Sequence, residues 1–173
     1  MQSSSQGGQA AAAAATPAQL AAVDAAVARL SSLPGALLPI LHAIQEELGF
    51  VPPESIERIA HGLNLSRAEV HGVLTFYHDF RTTPPGRTVL KLCRAEACQA
   101  MGCQRLEQRL RDVHGVAMGQ TTADGALTVE AVYCLGNCAL SPAVLVDGKL
   151  LGRVGEARLD EIVRGARQGG EAR

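Results

Sequence analysis

Four of the five cysteines stand in two closely spaced pairs, Cys93-Arg-Ala-Glu-Ala-Cys98 and Cys134-Leu-Gly-Asn-Cys138. Any fold open to this chain has to bring those pairs somewhere useful. Thiolates are soft, charged ligands, and four of them suit an iron–sulfur cluster or a tetrahedral zinc ion. Each pair follows a short β-compatible run, residues 88–92 before Cys93 and residues 127–133 before Cys134. Rigid strands that end in ligand-bearing loops would hold those loops at one point. Gly136, between two candidate ligands, lets the backbone turn tightly and aim N–H groups at sulfur. The spacing narrows the metal without deciding it. Structural zinc sites place paired ligands two to four residues apart, which excludes neither pair. The four-residue gap recurs in plant-type ferredoxins, whereas the three-residue gap is not that arrangement. No Cys-x-x-Cys occurs, which disfavours dithiol exchange. Chemistry alone favours iron–sulfur and leaves zinc and unliganded or redox-sensing thiols open.

The cysteine count also bears on compartment. An odd set, mostly in two tight pairs, is unlike the even, dispersed cysteines of a secreted disulfide scaffold, so a reducing cytoplasmic location is expected. Cys103 is left over. With 47% hydrophobic and 19% charged residues and a formal net charge of −1, the 173-residue chain has a globular composition without the basic excess of a general nucleic-acid binder. No apolar run is long enough for a spanning helix, so no direct membrane insertion is expected. Residues 10–15 are an alanine run with no positive segment before it and no leucine-rich core after it. Residues 1–15 therefore read as a disordered tail.

Between residues 16 and 82 the pattern is helical. Thr16-Pro17-Ala18-Gln19 combines a cap, a first-turn proline and a capping-box glutamine. Leu37, Ile40, Leu41, Ile44 and Leu48 form one stripe that Gly49 closes, provided the helix starts close to Pro39. Ile56, Ile59, Ala60 and Leu63 suggest a third helix, and Ser66-Arg67-Ala68-Glu69 opens a fourth. The Thr82-Thr83-Pro84-Pro85-Gly86 segment separates this small bundle from a second domain over residues 87–168. There the order is strand, helix (residues 99–111, with Met101, Leu106 and Leu110 inward), strand, hairpin around Asp147-Gly148, and a final helix with Leu159, Ile162 and Val163. The expected class is α+β, a helical bundle followed by a small α/β domain.

The two cysteine pairs, with Pro142-Ala-Val-Leu-Val146 after the second, resemble the thioredoxin-like [2Fe–2S] ferredoxin family, which includes the 24-kDa subunit of respiratory complex I. The resemblance covers residues 33–164. It extends to Pro34-Gly-Ala-Leu-Leu-Pro-Ile-Leu-His42 and Leu65-Ser-Arg-Ala-Glu-Val-His-Gly-Val-Leu-Thr-Phe-Tyr-His-Asp-Phe80 in the helical half. It implies a thioredoxin-like second domain holding one [2Fe–2S] cluster through Cys93, Cys98, Cys134 and Cys138. Cys103 is then not a ligand. Within the family, residues 33–41, 76–80 and 93–98 most resemble the gamma subunit of cytoplasmic NAD⁺-dependent formate dehydrogenases. That likeness implies a large formate-oxidising partner with a molybdenum or tungsten pterin and a second partner carrying FMN and NAD. The chain itself would be a non-catalytic electron carrier, and it lacks a Gly-x-Gly-x-x-Gly segment for a dinucleotide. The alternatives are the equivalent small subunit of an NADH:quinone oxidoreductase or NAD-reducing hydrogenase and, in another class, a zinc-stabilised interaction module.

Other features are weaker. Residues 64–74 resemble a helix-turn-helix, but the first half carries four basic against seven acidic residues, so no nucleic-acid partner is expected. Phe76, Tyr77 and Phe80 are expected to anchor a partner subunit or the core. Lys91, Arg94, Arg105, Arg109 and Arg111 surround the first pair in sequence and would ease reduction of an anionic cluster, or else form a solvated face. None of His42, His61, His71, His78 and His114 lies in a cysteine loop, against a Rieske-type site; only His78 is a candidate interface residue. Glu46-Glu47 cannot face one another on a helix, against acid/base catalysis.

Overall fold

The computed structural model describes residues 14–169. The expected tail falls almost wholly on residues 1–13, outside the described residues. The chain divides between Pro84 and Pro85 into two compact units, each with its own core.

The first unit consists of α1 (Pro17–Leu30), α2 (Leu37–Leu48), α3 (Ser55–Leu63) and α4 (Arg67–Phe76). Two of these helices start on reciprocal capping boxes. Thr16 Oγ1 accepts from the Gln19 N–H while Gln19 Oε1 accepts from the Thr16 N–H; Ser66 and Glu69 repeat the exchange at α4. Each box satisfies two backbone donors that the helix itself leaves unpaired. Pro39 lies in the first turn of α2, where its missing N–H is no loss, and Gly49 ends the helix at φ +81°. Val23, Ile40, Leu41, Ile44, Ile59, Val70 and Leu74 are packed inside. A Cβ at Gly62 would stand 2.3 Å from Val27 Cγ1, so the closeness of α3 to α1 depends on glycine there. The Gln45 amide holds the segment after α4, donating to the Asp79 carbonyl at 2.7 Å and accepting from the Arg81 N–H at 2.7 Å. Phe80 is buried with its ring centroid 4.9 Å from that of His42, whereas Phe76 is 73% exposed.

The second unit is built on β1 (Thr88–Cys93), β2 (Gln120–Thr121), β3 (Leu127–Val132), β4 (Val144–Val146) and β5 (Lys149–Leu151), in the order β2-β3-β1-β4-β5. β1 is central, parallel to β3 with Cys93 opposite Val132 and antiparallel to β4 with Leu92 opposite Val144. The parallel pair requires a crossover, and α5 (Glu96–Ala100) and α6 (Cys103–Asp112) lie along it. The final helix is α7 (Glu156–Gln168). Leu90, Leu92, Leu106, Leu110, Val129, Leu159 and Val163 form the core. Arg109 ties α6 to α7 with a two-point grip on Asp160, at 2.8 and 2.6 Å, and His114 Nε2 meets the same carboxylate at 2.8 Å. The hydrogen bond from Arg109, and then that with His114, holds Asp160 well below the usual carboxylate range.

Two expectations need correction. The single helix over residues 99–111 is two helices, broken at Met101-Gly102, because Gly102 adopts φ +89° and starts α6 in a new direction. Met101 consequently points out, 58% exposed, while Leu106 and Leu110 are buried as expected. The class is α+β, as the sequence implied, with a mixed five-stranded sheet in the second unit.

Candidate metal centre

Cys93 is the last residue of β1, where the backbone is fixed from both sides. Its N–H donates to the Ala143 carbonyl at 3.1 Å, and the next N–H, of Arg94, donates to Val132 at 2.8 Å. Cys98 lies one turn on, inside α5, and both side chains are buried. β3 ends one residue before Tyr133, and Cys134 follows at φ +85°, a left-handed conformation uncommon outside glycine. Cys138 opens a short 3-10 turn, Cys138–Leu140. Cys134 and Cys138 are exposed. The two parallel strands thus deliver one cysteine loop each to the same end of the sheet, beyond their C-terminal residues.

The loops meet at Ser141, whose hydroxyl lies 3.6 Å from Cys98 Sγ and donates to the Cys138 carbonyl. Burial pushes the Cys93 thiol up, but N–H groups of Ala95, Cys134 and Leu135 and the Cys98 side chain more than offset it and hold the thiol below its ordinary value. Two of those N–H groups belong to the second loop. Within that loop the Gly136 N–H reaches Cys134 Sγ at 3.4 Å, as expected of a glycine at φ +73°, and Cys134 Sγ stands 3.9 Å from Cys138 Sγ. Contact with Cys134 raises the Cys138 thiol, with smaller contributions from the charges of Cys98 and Cys93. Several thiols close enough to oppose one another's ionisation, with backbone donors aimed at them, form an environment suited to metal-bound thiolate. The donor set fits an anionic sulfur-bridged cluster: soft ligands in two pairs, one inside and one at the surface.

Cys103 is the first residue of α6 and is buried in the core. Burial, and then the neighbouring Cys98, raise its thiol above the ordinary value. Four of the five basic residues near the first pair stand beside carboxylates. Lys91 pairs with Glu130 at 3.7 Å, Arg94 with Glu107 at 3.2 Å, Arg111 with Glu107 at 3.3 Å, and Arg109 with Asp160. Arg94 and Arg111 share the Glu107 carboxylate, and Arg109 also meets Glu156 at 3.1 Å. His42, His61, His71 and His78 belong to the first unit, and His114 is engaged with Asp160.

Two residues with no sequence signal touch the second loop. Ser141 Oγ donates to the Cys138 carbonyl at 2.7 Å and lies 3.6 Å from Cys98 Sγ, touching both pairs. Gly152, just past β5, lies so close to the loop that an added Cβ would stand 2.6 Å from Leu140 Cβ and 2.8 Å from the Leu140 carbonyl oxygen.

A family model described as thioredoxin-like [2Fe–2S] ferredoxin matches residues 23–167, and the chain belongs to that family. One [2Fe–2S] cluster is accordingly its cofactor. NADH-quinone oxidoreductase subunit 2 of Thermus thermophilus is 35% identical over 135 residues, 78% of this chain and 75% of that protein. NADP-reducing hydrogenase subunit HndA of Solidesulfovibrio fructosivorans is 30% identical over 137 residues, 78% of this chain and 80% of that protein. Among solved structures, the NAD⁺-reducing [NiFe]-hydrogenase in its air-oxidised state superposes with a TM-score of 0.66 at 27% identity. That match covers 82% of this chain, which spans about a quarter (24%) of the hydrogenase chain.

Proposed function

We propose that this chain is the [2Fe–2S] electron-transfer subunit of a multisubunit NAD(P)-linked oxidoreductase, with Cys93, Cys98, Cys134 and Cys138 as the cluster ligands. The observation that carries the reading is that the parallel strands β1 and β3 end side by side, Cys93 opposite Val132, so that the two cysteine loops meet, with Ser141 touching both pairs. When bound, such a cluster takes up and returns one electron at a time. The protein's part is to hold four thiolates, direct N–H groups at sulfur, bury one pair and leave the other facing a partner. Tyr133, 72% exposed beside Cys134, and Leu140, 40% exposed beside Cys138, give that face apolar surface for docking.

The names of the relatives favour a complex of the NADH-quinone oxidoreductase or NAD-reducing hydrogenase type, and the family resemblance implies an FMN- and NAD-binding subunit as the electron partner. The narrower reading, the gamma subunit of a molybdenum- or tungsten-dependent NAD⁺ formate dehydrogenase with a formate-oxidising large subunit, rests only on the wording of residues 33–41, 76–80 and 93–98. A cytoplasmic site fits five free cysteines, and no helix among the described residues is long and apolar enough to cross a membrane.

Anaerobic purification from the native source, with mass spectrometry of the intact complex and iron, sulfide and EPR analysis, tests this. Expected are two irons and two sulfides per chain, a rhombic signal on reduction, and co-purification of a flavin subunit. A molybdenum- or tungsten-bearing large subunit would select the formate reading, and a hydrogenase or membrane arm the broader one. Stoichiometric zinc without labile sulfide would sink both.

A further inference from the structure

Ser141 is 7% exposed and has one hydroxyl proton between two acceptors that belong to different cysteine pairs. In the thiol form Cys98 Sγ lies 3.6 Å from Ser141 Oγ and the serine hydroxyl donates to the Cys138 carbonyl at 2.7 Å. A ligating Cys98 has no proton to give and becomes an acceptor only. The Cys138 carbonyl, meanwhile, also accepts from the Ser141 backbone N–H at 3.3 Å. If the hydroxyl turns away, that oxygen keeps a partner, so rotation towards sulfur leaves no buried carbonyl unsatisfied. Cys98 is itself 2% exposed, so little solvent reaches it to offer a substitute bond.

We infer that Ser141 is a positioning residue whose hydroxyl turns from the Cys138 carbonyl to the Cys98 sulfur as negative charge builds there, and so raises the reduction potential of the site. The inference rests on the ligand assignment proposed above. One electron enters and the serine proton reorients without leaving its oxygen, so no proton is taken up or released by this residue. A hydrogen bond to a ligand sulfur stabilises the more negative, reduced state over the oxidised one.

The test is an EPR-monitored redox titration of the full chain, cluster loaded, as wild type, Ser141→Ala and Ser141→Thr. Removing the hydroxyl lowers the reduced-to-oxidised ratio at a fixed ambient potential by roughly tenfold, on the scale of a charge-assisted hydrogen bond, a downward shift of about 59 mV for one electron. Threonine, which keeps the hydroxyl, stays near wild type. Iron and sulfide content of the alanine protein is unchanged. An alanine protein with full iron and a wild-type potential overturns the inference. So does one that loses its cluster altogether, since Ser141 would then be a building element and not a tuner. Wild type lacking two irons and two sulfides would instead overturn the ligand assignment itself.

Discussion

At the scale of single residues, five cysteines in one small unit have different environments and should behave differently. Cys103 is buried at the start of α6 with its thiol raised by burial, which keeps it protonated and inert. Cys103→Ser should therefore keep two irons per chain and an unchanged reduced EPR spectrum, with a modest fall in stability for placing a hydroxyl in an apolar core. Serine at Cys93, Cys98, Cys134 or Cys138 replaces a soft ligand with a hard one and should lose the cluster or alter its spectrum. If Cys103→Ser abolished the signal while Cys98→Ser left it intact, the ligand set would have to be redrawn. The two cysteine pairs were visible in the sequence because residue type and spacing are written along the chain. Ser141 was not, because its value depends on touching Cys98, a residue far away in sequence. Two of the carboxylates beside the cations near the first pair, Glu130 and Asp160, were equally invisible, because they come from other elements.

Among the elements, helix starts were the most readable. Thr16 with Gln19 and Ser66 with Glu69 are local patterns, and local hydrogen bonds satisfied them. The Glu69 carboxylate accepts from the Ser66 N–H and hydroxyl, both at 2.8 Å, and the N–H bond followed by the hydroxyl bond holds it below the ordinary glutamate value. Because the folded form is the more acidic, the ionised box stabilises α4 above the ordinary value of about 4.3, and that contribution disappears as pH falls below it. The urea midpoint of the helical unit should drop more steeply between pH 5 and pH 3.5 in wild type than in Glu69→Gln, which has nothing to protonate. Equal slopes would show that the box carries no pH dependence. What the pattern concealed was a two-residue edge strand, Gln120–Thr121, too short to display alternation, and the break at Gly102, where helical composition continues through a left-handed residue. Gly152 was equally silent, although it fixes where the end of the hairpin meets the second cysteine loop. Gly152→Ala forces a methyl against the Leu140 carbonyl, which is itself held by the Arg153 N–H at 2.6 Å. The clash should lower stability by about 1–3 kcal/mol and speed iron loss to a chelator. Gly165→Ala on α7, where nothing lies within 4 Å, should leave iron loss at the wild-type rate. Matching rates for the two variants would mean that the loop does not depend on this approach.

At the level of the whole molecule, the two cores share no residue: one runs from Val23 to Phe80, the other from Leu90 to Ala166. Damage to one should spare the chemistry of the other. Leu41→Ala, at a fully buried position, should destabilise the helical unit by about 2–5 kcal/mol while iron and sulfide per chain stay at two. In urea, the loss of helical circular dichroism should then precede bleaching of the cluster absorbance, and coincident transitions would contradict two separable units. The division into helical and α/β halves was readable from the switch between helical and alternating patterns; the strand order was not, since it is decided by which strands pair across the crossover. That crossover also dictates a calendar. β1 and β3 are parallel neighbours, so Cys93 and Cys134 come together only after the intervening chain has folded back over the sheet. Cys134 and Cys138, left at the surface, are the half of that meeting point that solvent can reach.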